Sequence, residues 1–275
     1  MNTPPRMPTL YIPHGAGPCF FMDWNPADAW DKTAAYLRSI ASSLPTRPQA
    51  IVLVTAHWLG AQPCMSSAAR PGMLFDYYGF PPHTYELSYP APGAPALAER
   101  ARGLLADAGI AAAVDTQRGY DHGTFIPLMV AFPDADVPVL QVSLLGSLDA
   151  QAHIGYGQAL APLRDEGVLI LGSGSATHNL ADFRGGRTLN EPPRGYVKPF
   201  DDWLVQTVEA GDEKGLAGYE RAPEGRRNHP TPEHFLPIFV PFGAALAAGD
   251  GKGRALHRSY TYGVLAMTAF AWGIV

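Results

Sequence analysis

Nine histidines stand in this 275-residue chain, and several occupy positions from which an imidazole can do chemistry. His57 stands near the end of "IVLVTAHW", four apolar residues followed by Thr55, Ala56 and the ring. His14 follows "LYIP" and precedes Gly15-Ala16-Gly17, and His178 comes a short loop after "VLILGSGS". Each apolar run reads as a strand, so three imidazoles are predicted at or just beyond strand ends. His122 lies in "YDHGTF", read as a Gly-flanked loop where Asp121 is available to orient the ring. His229 and His234 lie in "NHPTPEHF", where Pro230 and Pro232 prevent a regular helix between them. Neutral imidazole is a good ligand for divalent Fe, Zn, Cu and Ni, and two or three convergent rings with open positions make a reactive metal site. The other histidines read differently: His153 sits in an amphipathic helical pattern and His257 in a polar stretch, both structural, and His83 is a loop residue in "FPPHTYEL".

Other chemistries find less support. The chain has no HExxH zinc helix and no phosphate-binding P-loop. "GSGSAT" (172–177) carries two glycines of a dinucleotide fingerprint without the third, and it does not match the GxSxG nucleophile elbow. Ser173 or Ser175 beside His178 could form a hydrolase pair, but a Gly/Ser loop wrapping a site is the better reading.

The elements that must position these residues alternate. Strands are expected at 9–15, 50–58, 137–145 and from 167, each a continuous apolar run. Helices are expected at 25–45, with Asn25 as N-cap and Pro26 at the first helical position, and at 95–110, ending at Gly109. Further helices are expected at about 149–166, 195–220 and 233–249, the last interrupted by Pro237 and Pro241. Continuous apolar strands between amphipathic helices call for a mostly parallel sheet covered on both faces. In such sheets ligands bind at the carboxyl edge, where loops from adjacent strands converge. "EPPRG" (191–195) is a turn-rich break without a change in composition, so residues 1–275 read as a single α/β domain.

Composition agrees: 47% hydrophobic residues suffice for a large core, and 16% charged residues exclude a disordered chain. A net charge of −5 argues against nucleic acid or an anionic membrane as an obligate partner. Two cysteines make no disulfide framework. The segment "MNTPPRMPTLYIPHG" has no signal-peptide apolar run, and the final "YGVLAMTAFAWGIV" is shorter than the roughly 20 residues of a spanning helix. It reads as a buried last strand, and the expected location is cytoplasmic.

Six fragments taken in order, "IPHGAGP", "VTAHW", "FDYYGFPPHTYELSYPAPGAPALA", "GYDHGTFIPL", "GSGSATHNL" and "NHPTPEHFLPIFVPFGAA", resemble the DOPA-dioxygenase-like branch of the class III extradiol ring-cleavage dioxygenases. That superfamily includes the catalytic subunits of protocatechuate 4,5-dioxygenases. The resemblance runs from about residue 9 to the C-terminus. It implies one α/β domain around a mixed, mostly parallel sheet, with a non-haem Fe(II) site that Zn(II) can also occupy. It implies His14, His57 and His234 as metal ligands, His178 as the acid/base, and His122 as a second histidine on the substrate side. Several members of the wider superfamily use Glu as third ligand, and here Glu233 stands beside His234. His229 matches a site-lining histidine in part of the branch.

The implied substrates are a catechol, DOPA-like or another catecholic acid, and O2. Fe(II) bound by three neutral rings keeps its charge and open positions, which favours a bidentate catecholate. A base titrating near neutrality suits removal of the second catechol proton, and His178 fits that role. The aromatic stretch 75–85 could stack on a flat ring or merely anchor to the core, and Asp76, Glu86 or an arginine could read a substrate's tail. A Zn(II)-assisted hydrolase using the same histidines is the alternative enzyme, and a non-catalytic binding protein on the same fold is a third reading.

Overall fold

The computed structural model describes residues 5–183 and 193–274. In chain order the first half runs β1 (Thr9–Pro13), α1 (Asp31–Ser43), β2 (Ala50–Gly60), β3 (Cys64–Ser66), α2 (Pro95–Asp107), β4 (Ala113–Asp115), α3 (His122–Ala131) and β5 (Val139–Leu145). The second half runs α4 (Ala150–Leu160), β6 (Val168–Gly174), α5 (Leu180–Phe183), α6 (Val197–Ala210), α7 (Glu213–Ala217), α8 (Gly225–Asn228), α9 (Phe239–Ala247), β7 (Gly253–His257), β8 (Tyr260–Thr261), β9 (Leu265–Ala266) and β10 (Ala269–Trp272).

Eight strands form one sheet in the order β4-β3-β5-β2-β6-β1-β10-β7. Its centre, β5-β2-β6-β1, is parallel throughout, and antiparallel pairs appear where β3 joins β5 and where β10 and β7 extend the far edge. Every residue of β6 is buried, as a strand covered on both faces requires. Alternate residues feed two cores. Val52, Val54 and Ile170 join one under α4, α6 and α9, while Ile51, Leu53, Leu169 and Leu171 join the other under α1 and α3. The expected layered α/β architecture is therefore present. Among the described residues no helix is long and apolar enough to cross a membrane.

Several boundaries differ from the sequence reading, each for a local reason. The first long helix begins at Asp31, after Trp30. Residues before it form turns, because Ala29 and Trp30 pack against Cys19, Tyr262 and Leu265 instead of extending a helical face, so Asn25 and Pro26 cap nothing. The Gly109 stop holds: at φ +74° its N–H donates to Ala106 O while Ile110 N–H reaches back to Leu105 O. The 149–166 helix is α-helical only to Leu160 and then tightens into a 3-10 turn. The 195–220 helix is broken at Gly211, which takes φ +70°. In 233–249 the regular helix starts at Phe239 after a 3-10 turn containing Pro237. The C-terminal apolar run folds as two strands, β9 and β10. The "EPPRG" break lies partly outside the described residues.

Candidate metal centre

The sheet's carboxyl edge gathers the histidines as the alternation predicted, with one change of detail. His14 follows β1 directly, and His178 follows β6 after a short loop. His57 is not at a strand end but inside β2, where five residue steps from Val54 to Leu59 oppose only two on β5, from Val142 to Leu144. Such a bulge re-aims side chains, and here it turns His57 toward His14. His122 opens α3 rather than lying in a loop. Asp121 caps that helix by accepting from Thr124 N–H, so it does not orient the ring.

The partial glycine motif has a packing role. A β-carbon on Gly172 would collide with Pro237 O, and one on Gly174 with His234 O, each inside the 3.0 Å that real β-carbons do not breach. The two glycines thus let the backbone carrying His234 lie directly on β6. The carbonyl of His234 is held there by Tyr11 Oη (3.0 Å) and Ser175 N–H (2.8 Å).

His14, His57, His122, His178 and His234 all line one cavity of about 340 Å³, within the range of small-molecule sites. The rest of the wall includes Ala16, Tyr77, Tyr78, Phe80, Leu180 and Leu265. Tyr78 is 88% exposed at this wall, an uncommon position for so large a ring. Glu233, His229 and Asp76 are not among the lining residues. His229 is buried between Phe200 and Phe235, donating from Nε2 to Ala176 O at 2.9 Å. His153 is structural as expected: its Nδ1–H donates to Asp149 O (2.7 Å) and its Nε2 accepts from Leu145 N–H (3.0 Å). His257 stacks on Tyr36, and His83 bonds Phe21 O at the surface.

Ring geometry suits a cation. The Nε2 atoms of His14 and His57 face each other at 3.2 Å. Two nitrogens bonded to one ion at about 2.1 Å stand roughly 3 Å apart, so this is the spacing of ligands sharing a metal. The protons also sit on the far side. The Ser173 hydroxyl donates to Gly123 O (2.5 Å) and so can only accept from His14 Nδ1–H at 3.0 Å, which leaves His14 Nε2 as a bare lone pair. His57 Nδ1 lies 3.4 Å from Asp76 Oδ2, and His122 Nδ1 donates to Asp76 Oδ1 at 2.7 Å. The ligand atoms of His14, His57 and His122 all lie within 4.8 Å of one another. His234 is close to the same point, its ring centre 5.3 Å from that of His14 and 4.9 Å from that of His57. It stacks on His178 at 3.5 Å.

Burial, reinforced by the neighbouring rings, holds His14 and His234 well below the usual histidine range, and it pushes His57 to about 3 against the pull of Asp76. Burial likewise takes His178 to about 4, opposed by the Glu233 charge. The rings are therefore neutral at physiological pH, the form that binds metal.

Residues 8–271 match the model of the catalytic LigB subunit of aromatic ring-opening dioxygenase. The chain belongs to this family. It is 37% identical over 264 residues to a 4,5-DOPA dioxygenase extradiol of Beta vulgaris, covering 95% of both chains, and 35% identical over 243 residues to one of Escherichia coli K12, covering 87% of this chain and 85% of that one. The crystal structure of an uncharacterized E. coli K12 protein superposes with a TM-score of 0.77 at 30% identity, over 98% of this chain and all of the other. As a LigB-family oxygenase the protein is an extradiol dioxygenase, and its histidine cluster fits the metal that such chemistry needs.

Sequence reading missed the supporting groups. Ser173 was weighed there as a nucleophile, yet it is buried behind His14. Asp76 was weighed as a reader of substrate, yet both its oxygens face histidines. The serine does stand in β6, two residues after the last of the run's leucines; the aspartate carries no local signal.

Proposed function

We propose that this LigB-family oxygenase is an Fe(II)-dependent extradiol dioxygenase that opens the ring of a catechol, with His14, His57 and His234 holding the metal. Fe(II) would supply the electron exchange between O2 and a chelated catecholate that closed-shell groups cannot. The observation that carries the reading is the convergence of five histidines on one aromatic-walled cavity. His234 is taken as third ligand on the family resemblance, its ring centre lying 5.3 Å from that of His14 and 4.9 Å from that of His57; His122, whose ligand atom lies within 4.8 Å of those of His14 and His57, is the competing third ligand. His122 then faces the substrate side as a hydrogen-bonding group.

His178, which stacks on the His234 ring and lines the same cavity, takes the second catechol proton and returns it later in the cycle. Burial keeps it unprotonated and able to accept, although at about 4 it is a weaker base than the near-neutral one expected from the sequence. Tyr77, Phe80 and the exposed Tyr78 supply flat apolar surface for a ring and limit water at the reacting centre. The similarity to 4,5-DOPA dioxygenases supports catechols bearing a carbon side chain, DOPA among them. Ser175, the serine on the cavity wall, donates its hydroxyl to Thr177 O at 2.8 Å and is no free nucleophile, so a serine hydrolase draws no support from it.

The test is oxygen uptake by protein loaded anaerobically with Fe(II) and mixed with L-DOPA and a panel of catechols, recording the visible spectrum alongside. Stoichiometric O2 loss with a new yellow ring-fission chromophore, absent from a Zn(II)-loaded control, is expected. Tight Fe(II) binding with no uptake on any catechol of the panel would refute the catechol assignment and point to a substrate outside the panel or to metal-assisted hydrolysis.

A further inference from the structure

We propose that Asp76 is the positioning residue of the centre: its two carboxylate oxygens divide between His122 and His57 and keep the proton of each ring on Nδ1, so that both Nε2 atoms face the cavity as lone pairs. This rests on the reading of His57 as a metal ligand. Oδ1 accepts from His122 Nδ1–H at 2.7 Å and from His122 backbone N–H at 3.0 Å, and Oδ2 lies 3.4 Å from His57 Nδ1. An ionised carboxylate has no proton to give, so a ring nitrogen turned toward it must be the donor.

The loop that delivers this carboxylate is tied down on both sides. Leu74 N–H donates to Tyr120 O at 2.7 Å, and Tyr120 N–H donates to Gly72 O at 2.8 Å. On the other side the Tyr77 hydroxyl donates to Thr84 O at 2.5 Å, while its ring meets His122 edge-on at 5.7 Å. Asp76 therefore links two parts of the site with different duties. Through His57 it acts on metal affinity, and through His122 on the substrate side. Its neighbours Tyr77 and Tyr78 wall the cavity, so the loop that receives the substrate also orients the rings.

Two substitutions separate these duties. In Asp76→Asn the amide oxygen stays on the Oδ1 side, where two N–H donors of His122 converge, and the NH2 group is left facing His57 Nδ1. That reverses the His57 tautomer, placing a proton on Nε2 where the metal should bind. Asp76→Ala releases both rings. Outer partners of metal-bound histidines are typically worth about 10- to 100-fold in affinity or activity.

Co(II) affinity is measured by competition with a fluorescent chelator on the full-length protein, with ring-nitrogen NMR of the metal-free form and turnover at saturating Fe(II). His57→Ala serves as the ligand control. Asp76→Asn is expected to lose at least as much Co(II) affinity as Asp76→Ala, about tenfold or more, although it is the closer isostere, and to show Nε2–H on His57. At saturating metal Asp76→Asn, which keeps the bonds to His122, retains more of the parent's kcat than Asp76→Ala, which falls about tenfold or more. If His57→Ala loses Co(II) but Asp76→Asn stays within about twofold of the parent, the positioning role is overturned, as it is by lowered melting temperatures without lowered affinity. If His57→Ala binds Co(II) as the parent does, the ligand assignment falls and the proposal with it.

Discussion

Substituting Gly174 by Ala tests whether close backbone packing on β6 sets the metal centre. The added methyl would overlap His234 O and press on Tyr11 Oη at 3.0 Å, so the carbonyl must retreat by roughly 1 Å to regain ordinary contact. That movement lengthens both bonds to the carbonyl, from Ser175 N–H at 2.8 Å and from Tyr11 Oη at 3.0 Å. Overpacking costs about 1–3 kcal/mol and each weakened hydrogen bond about 1, so a loss of about 3–5 kcal/mol is expected. At about 2–4 °C per kcal/mol the metal-free protein should melt roughly 6–20 °C lower. Metal–ligand distances tolerate only about 0.2 Å, so the same shift should also weaken Co(II) binding by about tenfold or more. Thermal unfolding after chelator treatment and Co(II) competition read the two effects separately. Gly155→Ala is the control, since its β-carbon meets nothing within 4 Å and helix propensity alone should stabilise α4 slightly. An unchanged melting temperature in Gly174→Ala would refute the packing argument. A lowered melting temperature with intact Co(II) affinity would remove His234 from the ligand set and favour His122.

Replacing His178 by Ala should leave Co(II) affinity near that of the parent and cut kcat by about 10²- to 10⁴-fold, measured by oxygen uptake; loss of metal as well would defeat the division between ligand and base. Ser173→Ala strands His14 Nδ1–H and Gly123 O in a buried setting, so stability should drop by about 2 kcal/mol or more in urea unfolding, with weaker Co(II) binding, and neither effect should appear if the serine merely fills space. Acid should destabilise the fold through His229, which burial holds at about 3 despite its bond to Ala176 O. Its contribution is complete above the unfolded value of about 6.5 and is lost as pH falls toward 3, at about 1.4 kcal/mol per unit. His229→Gln should remove about one proton's worth of that slope between pH 6 and 5, and identical slopes in urea titrations would count against it.

The layered architecture was legible because buried parallel strands advertise themselves. "IVLV" and "VLIL" are continuous apolar runs whose alternate residues serve two cores, and each is followed at short range by a histidine. The edge elements were not legible for the opposite reason. β3 and β4 have three residues each, too short for any periodicity, and the first helix lost its opening turns to a cluster in which Trp30 packs with Tyr262, Val264 and Leu265, more than 200 positions away.

The site divides along the same line, and the division has a physical cause. A metal-binding ring is recognisable because strand ends put it at a predictable edge, whereas the groups that fix its tautomer reach it from distant segments. Ser173 meets His14 across 159 positions and Asp76 meets His122 across 46. Such partners need only an oxygen at the right point in space, so no local pattern marks them. Gly172 and Gly174 are intermediate: their spacing is visible, but its meaning is decided by the carbonyls of Pro237 and His234 laid across them. Without side chains at those two positions β6 becomes a flat bed, and the loop carrying His234 is brought to the His14–His57 pair by backbone contact. The precision of the centre therefore resides less in the histidines than in the serine, the aspartate and the two glycines behind them.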